Sequence, residues 1–273
     1  MKLARPDVFH PRIVLAGCPQ HAAGDGDDAG LLAALRHRGL HARWLSWDAA
    51  EVGCADLVIV RATRDYAGRL DEFLAWTRGV KNLLNPPAVI AWNVDRRCLD
   101  DLSAHGVPTV AGEVRAPGER VRLPRTGAVF VSPTVGTGTR RCVDRSEAVA
   151  CVAELHTAGR SALVQPAGSG AETVLVFIGG QPSHAFPAES DFEIWDVGTA
   201  ALTAAAARVG IDVGELLYAR AHLVGDRVLE LQLVDPSLDW QRLDADTRDL
   251  AQRVFALAVE SACERLGLGP LSH

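Results

Sequence analysis

Two lysines, Lys2 and Lys81, are all that this 273-residue chain has; the other 26 of its 28 basic residues are arginine. Fixed positive charge therefore rests on the planar, permanently charged guanidinium. Long apolar runs are also missing: 48% of the residues are hydrophobic, yet no run reaches the roughly 20 residues that cross a bilayer. The stretch from Met1 to Pro11 has no apolar core of the kind a secretory signal carries, so a cytoplasmic protein without membrane association is expected. Basic stripes are scarce. At a formal net charge of −6, only 120–125 and Arg140–Arg141 concentrate positive charge. Both are too short for the footprint of a nucleic-acid binder. The cysteines (18, 54, 98, 142, 151, 263) include no C-x-x-C and no Cys/His pairing at zinc spacing. Scattered free thiols of a reducing compartment are the reading that remains. Internal repeats and low-complexity segments are absent as well.

What is present is a change of texture along the chain. Residues 12–17 form a short apolar run closed by Gly17 and Pro19, a buried strand. Residues 28–38, apolar at 31, 32 and 35 and followed by Gly39, predict a helix. Further strands are expected over 41–47 and 56–61, with a helix over 66–77. This alternation predicts a parallel sheet covered by helices. Asn93 and Asp95 offer capping side chains for a helix over 96–104, ended by Gly106 and Pro108. Beyond 108 come short strands (128–132, 141–143, 162–165, 173–178, 182–186) interleaved with helices near 146–158, 198–209 and 246–266. An α+β body behind an α/β lobe follows.

Three segments are candidates for chemistry. Gly24-Asp-Gly26-Asp-Asp-Ala-Gly30 follows a strand and opens a helix, as a dinucleotide fingerprint does. Its three aspartates would repel a pyrophosphate, which favours an acidic loop with a helix cap. Ser132-Pro-Thr-Val-Gly136-Thr-Gly138-Thr-Arg140-Arg141 is a Gly/Thr loop between two strands with arginines at its exit. Backbone N–H groups of such a loop can wrap phosphates while arginine supplies charge. It lacks the Gly-Lys-Ser/Thr of a Walker A loop, and an ordinary hairpin turn has a similar composition.

The third segment runs from Leu217 to Pro236, two strand-like stretches meeting at Gly225-Asp226. A two-residue turn would pair 224 with 227 and mix polar and apolar residues on both faces. An odd loop would pair 224 with 228, putting Leu223 by Leu229 and Ala221 by Leu231 on one face, and His222 by Glu230 and Arg220 by Gln232 on the other. Register follows the hydrophobic pattern, so the odd loop is preferred. The polar face is then either a solvated side or the floor of a site.

Taken in order, these pieces resemble the ATP-grasp superfamily, in its glutathione-synthetase-like branch that includes the cycloserine-synthetase type ligases. The helix over 28–39 resembles that family's first helix, and Asn85-Pro86, Trp92-Asn93 and Asp95 to Leu99 its linker into the ATP-binding part. Ser132 to Arg141 stands where the phosphate loop belongs and Gln165-Pro166 where the chain meets adenine. Glu172, Phe177, Ser183-His184-Ala185, Tyr218-Ala219-Arg220, Glu230 and Asp235-Pro236-Ser237-Leu238 complete the series. The resemblance implies an α/β lobe over 1–95 followed by two α+β subdomains, 96–165 and 166–273, clasping a nucleotide cleft. It implies ATP bound by Arg96, Ser132, Gly136, Gly138, Arg140, Arg141, Gln165 and Glu172, a catalytic Arg220, and Mg²⁺ at Glu230, Gln232 and His222. The implied activity joins a small-molecule carboxylate to an amine or similar nucleophile through an acylphosphate; a homodimer stays open. Several charges depart from the family pattern. Arg96 and Ser132 stand for lysines, Ala188 for another basic residue, His222 for a metal-binding aspartate, and Gln232 for Glu or Asn. A weak or altered magnesium site, and a catalytically silent nucleotide- or partner-binding relative as the alternative, follow from those departures.

Overall fold

The computed structural model describes residues 10–119, 123 and 127–269, so the basic run at 120–125 lies, apart from Leu123, outside the described residues. Three four-stranded sheets carry the described residues. In the first, β1 (Arg12–Gly17), β2 (His41–Ser46), β3 (Leu57–Ala62) and β4 (Leu83–Leu84) run parallel in the order β2-β1-β3-β4. The continuous apolar runs of β1 and β3 suit burial on both faces. Ile13, Leu15, Leu57 and Ile59 meet α1 (Leu31–His37) and the C-terminal helix; Val14, Ala16, Val58 and Val60 meet Phe73 of α2 (Leu70–Gly79) and Ile90 of α3 (Pro87–Asn93).

Helix α1 starts at Leu31 rather than 28 because Asp25 accepts a hydrogen bond from the Asp27 N–H and caps a separate 3₁₀ turn over Gly26–Asp28. Likewise α2 begins at Leu70, after a 3₁₀ turn over Arg64–Gly68. The sequence reading lacked α3, where Pro87 fits the first turn. It placed capping side chains at 93 and 95. Asp95 does accept from the Arg97 N–H at 2.9 Å, ahead of α4 (Cys98–Ala104). Asn93 instead bonds the backbone of the third sheet.

The middle sheet, order β5-β8-β6-β7, comprises β5 (Glu113–Arg115), β6 (Val129–Pro133), β7 (Arg140–Cys142) and β8 (Ala162–Pro166), all pairs antiparallel. Its helix α5 (Arg145–Thr157) is capped by Asp144, which accepts from the Glu147 N–H. The cysteines are all unbridged; Cys142 and Cys151 lie with sulfurs 3.3 Å apart between β7 and α5.

The third sheet, order β10-β9-β11-β12, holds β9 (Glu172–Ile178), β10 (Gln181–Phe186), β11 (Tyr218–Val224) and β12 (Arg227–Gln232). Helix α6 (Phe192–Val209) covers one face, with Ala201, Leu202 and Ala205 against Leu175, Phe177 and Leu231. The other face meets α7 (Ala245–Arg265), whose Phe255 and Val259 also pack on the first sheet. At the β11–β12 hairpin both competing registers are realised. Val224 pairs with Arg227 and Leu223 with Val228, as a two-residue turn requires. A bulge then adds Leu229, and His222 pairs with Glu230, Ala221 with Leu231 and Arg220 with Gln232. The tight turn wins at the tip; burial of Leu229, Leu231 and Leu233 wins below it.

Candidate active site

The polar face of that hairpin looks across at β6. Alternation along β6 sends Val129 and Val131 into the core under α5, and leaves Phe130 and Ser132 on the opposite side. Phe130 packs with Val110, Ala167, Val224 and Leu229, and meets His222 edge-on at 6.1 Å between ring centroids. Gln165, paired with Phe130, donates to the carbonyls of Val110 (2.8 Å) and Leu229 (3.2 Å) and so stitches the second and third sheets together.

At the centre is a buried ion pair. Arg96 precedes α4, its N–H donating to the Thr134 carbonyl at 2.8 Å. Its Nη2 lies 2.5 Å from Glu230 Oε1 and 3.4 Å from the Gly136 carbonyl. Glu230 also accepts from Gln232 Nε2 at 2.5 Å on Oε1 and from Thr139 Oγ1 at 2.8 Å on Oε2. Burial alone would raise this carboxyl, but the Arg96 charge and these hydrogen bonds hold it at about 2. Among the described residues, no partner is found for the buried Nε and Nη1 of Arg96, Oγ of Ser132 and Oε1 of Gln165. The Gly/Thr loop closes the cleft with Gly136 at φ +92° and Gly138 at φ +110°. A Cβ on Gly136 would stand 2.7 Å from the Ala67 side chain.

Some expected site residues lie elsewhere. His222 shares a register position with Glu230, yet its Nε2 contacts Glu172 Oε2 at 3.2 Å. Burial and then the Arg220 charge lower the imidazole pKa, against the pull of Glu230 and Glu172. Arg141 reaches Glu172 at 3.4 Å, whereas Arg140 pairs with the exposed Glu154 of α5. Arg220 holds Asp239 at 2.9 Å, and Asp239 borders a second, polar cleft of about 460 Å³ lined also by His21, Asp25, Asp27, Arg64 and Ser237.

Sequence reasoning missed what sits behind that second cleft. Arg61, 2% exposed, lies 2.8 Å from Asp28 and donates to the Pro236 carbonyl at 2.9 Å. Asp27 accepts from the Leu238 N–H at 2.7 Å. The acidic 24–30 loop is thus a strap onto 236–238 rather than a phosphate site. A charged residue inside the apolar run 57–62 was the available signal, since a buried arginine requires acidic partners. Asp235, in the left-handed region at φ 49°, accepts from the Thr63 N–H at 2.7 Å. Burial raises its pKa well above the usual carboxylate value, with Arg61 pulling the other way. A raised folded pKa gives stability that is full below about pH 4 and is lost as pH rises through the folded value. Asp235→Asn does not titrate and tolerates positive φ. It should therefore exceed the native protein in stability to urea at pH 8, with the gap closing at pH 4; a loss at pH 8 would refute this.

The buried donors of Arg96 and Ser132, which no atom of the described residues accepts, fit a polyphosphate ligand such as ATP. The fit to Mg²⁺ is poor. Both oxygens of Glu230 are engaged, His222 faces Glu172, and among the described residues no group of three His, Cys, Asp or Glu is arranged to hold a metal.

The family described as D-cycloserine synthetase DcsG, N-terminal domain, matches residues 13–85. The cycloserine biosynthesis protein DcsG of Streptomyces lavendulae is 29% identical over 264 residues, spanning 79% of this chain and 88% of that protein. The crystal structure of D-cycloserine synthetase DcsG aligns with a TM-score of 0.74 at 28% identity, over 93% of this chain and 99% of that one. D-alanine–D-alanine ligase from Bacillus anthracis, complexed with ATP, aligns with a TM-score of 0.67 over 94% of this chain and 98% of that one; at 12% identity the likeness is one of fold alone. The chain has the ATP-grasp fold and resembles, along nearly its whole length, the cycloserine-synthetase-like branch of that superfamily.

Proposed function

We propose that this protein is an ATP-dependent ligase joining a small-molecule carboxylate to an amine or similar nucleophile through an acylphosphate. The observation that carries the reading is the contact of the Gly/Thr loop with the buried Arg96–Glu230 pair, through the Gly136 carbonyl and Thr139 Oγ1, where Arg96 keeps donors without a partner among the described residues. The likeness to DcsG supports it. The units we assign are 1–95, 96–165 and 166–273.

When bound, ATP supplies the phosphoryl group that activates the carboxylate. Arg96, Ser132 and the N–H groups around Gly136 and Gly138 hold the phosphates, and Arg141 adds charge at the loop exit. Gln165 and Glu172 border the nucleoside end. Arg140, turned toward Glu154, contributes only if its exposed side chain swings inward. Arg220 fixes Asp239 at the second cleft, where the carboxylate and the nucleophile are held. The nucleophile's nitrogen attacks the activated carbonyl carbon, phosphate departs and the nitrogen loses a proton. Positioning and fixed positive charge do most of such work. No step is assigned to magnesium, since both oxygens of Glu230 are engaged and His222, an imidazole and a poor ligand for a hard cation, faces Glu172.

The test is ADP release with mixed amino-acid substrates, with hydroxylamine added to trap acylphosphate as hydroxamate. The expected result is ADP formation that depends on a carboxylate and falls about 100-fold in Arg220→Ala. Nucleotide binding without ADP or hydroxamate under any mixture would identify a silent relative instead.

A further inference from the structure

Cys142 and Cys151 take no part in the chemistry above, yet the fold brings their sulfurs together. Cys142 ends β7, the strand that leaves the Gly/Thr loop, and Cys151 lies on the buried face of α5. Their Sγ atoms are 3.3 Å apart inside the cluster of Val129, Val131, Ala148 and Val152. A disulfide sets its sulfurs at about 2.05 Å, so the two side chains need close only about 1.3 Å between them. Burial, and then the hydrogen bond with Cys151, push the Cys142 thiol up to about 12, so the pair is inert while β7 is seated. β7 is easily unseated. It is three residues long, stands at the edge of its sheet and, among the described residues, pairs only with β6. Local opening costs least in such elements. Once opened, Cys142 stands next to Arg140 and Arg141, whose charge favours a thiolate.

We propose that Cys142 and Cys151 are an oxidation site, joined into a disulfide by exchange with a small-molecule disulfide, and that the bond pins the exit of the Gly/Thr loop to α5. In the first step the Cys142 thiolate attacks one sulfur of the oxidant; its S–S bond breaks, a mixed disulfide forms and one thiolate leaves. The Cys151 thiolate then attacks the Cys142 sulfur, forming the internal bond and expelling the second thiolate. The protons given up by the two cysteines end on the two released thiols, and two electrons pass from the protein to the oxidant. The consequence falls on the loop. Its Gly136 carbonyl accepts from Arg96 Nη2 and its Thr139 hydroxyl donates to Glu230, while Arg96, Glu230 and Ser132 are all buried. A phosphate reaches these groups only when the loop lifts, and a crosslink at Cys142, just past Thr139, opposes that movement. This last consequence rests on the reading of the cleft as a nucleotide site.

The experiment exposes the full chain to oxidised glutathione, blocks the remaining thiols with N-ethylmaleimide in urea and maps tryptic peptides without reduction. Cleavage after Arg141, Arg145 and Arg160 puts the two cysteines on separate peptides, 142–145 and 146–160, so the bond is read as their linked mass. Exposed Cys54 reports that the oxidant has acted, by carrying glutathione. The native chain should give the linked peptides. Oxidation should slow hydrogen exchange over 136–142 about tenfold or more and weaken ATP binding about tenfold or more by calorimetry, with both effects reversed by dithiothreitol. Cys142→Ala, its folding confirmed by circular dichroism, should show neither the linked mass nor either response. Recovery of both Cys142 and Cys151 as maleimide adducts, while Cys54 carries glutathione, would overturn the proposal. Linked peptides with unchanged exchange or unchanged ATP affinity would overturn the pinning of the loop. A reduced protein that binds no ATP, beside linked peptides and slowed exchange, would refute the nucleotide reading and leave the oxidation site standing.

Discussion

Arg61→Met should destabilise the protein by about 3–5 kcal/mol at pH 7, because it strands acidic groups in a site built around one cation. The Arg61 guanidinium lies over the rings of Tyr218 and Trp240, 5.4 and 5.9 Å from their centroids. Asp28 is at 2.8 Å and Asp27 at 3.9 Å, with the Pro236 carbonyl on the far side. Burial already raises the pKa of Asp28, and Arg61 is the main opposing influence. Methionine fills much of the volume but neutralises nothing, so Asp28 must take up a proton or draw in water. Urea unfolding measures the loss. Adding Asp28→Leu should recover about half of it, since replacing both members of a buried pair costs far less than removing one. A single-variant loss below about 1 kcal/mol would show that the network is incidental.

Arg96→Ala should cost about 3 kcal/mol at pH 7, with a pH dependence that separates it from a simple packing defect. Glu230 titrates at about 2 instead of its ordinary 4.5. A depressed folded pKa contributes stability that is full above the unfolded value and is lost as pH falls through the folded one. Without Arg96, burial acts on Glu230 unopposed and the contribution vanishes or changes sign. The gap between native and variant should therefore be widest at neutral pH and narrow as pH falls from about 4.5 toward 2. Urea unfolding at pH 7 and at pH 3 decides the matter: equal gaps at both would mean that Arg96 acts through packing alone.

The fold was legible where the hydrophobic pattern had one solution. The runs of β1 and β3 follow directly from their apolar residues. Legibility ended where two local rules competed. At Gly225-Asp226 the turn chemistry demanded one pairing and the buried leucines another, and a bulge, which no pattern of alternation announces, satisfied both. It ended again where side-chain direction mattered more than position. His222 was correctly set across from Glu230, but its ring reaches diagonally to Glu172 on the neighbouring strand. Arg140 and Arg141 are adjacent, and strand alternation necessarily sends them to opposite sides. Thr139, one member of a Gly/Thr loop, gave no sign that it alone would touch Glu230. Arg61 carried the clearest overlooked signal, a charge in a strand with no exposed face.

β12 ends the third sheet, and an open sheet edge invites a second chain to add itself by backbone pairing. Here the invitation is withdrawn by the linker and not by the strand's own composition. The carbonyl of Val228 accepts from Val110 N–H and its N–H donates to Pro108, while Gln165 takes the Leu229 carbonyl. Asn93 bonds both the Leu231 carbonyl and the Leu233 N–H, and Asn85 bonds the Leu233 carbonyl. A leucine-rich segment that would otherwise be sticky along its whole length is thus insulated by amide side chains that arrive from earlier in the chain. Protection against aggregation at this edge therefore exists only after the linker has docked, and a partly folded chain with 85–110 detached would expose it.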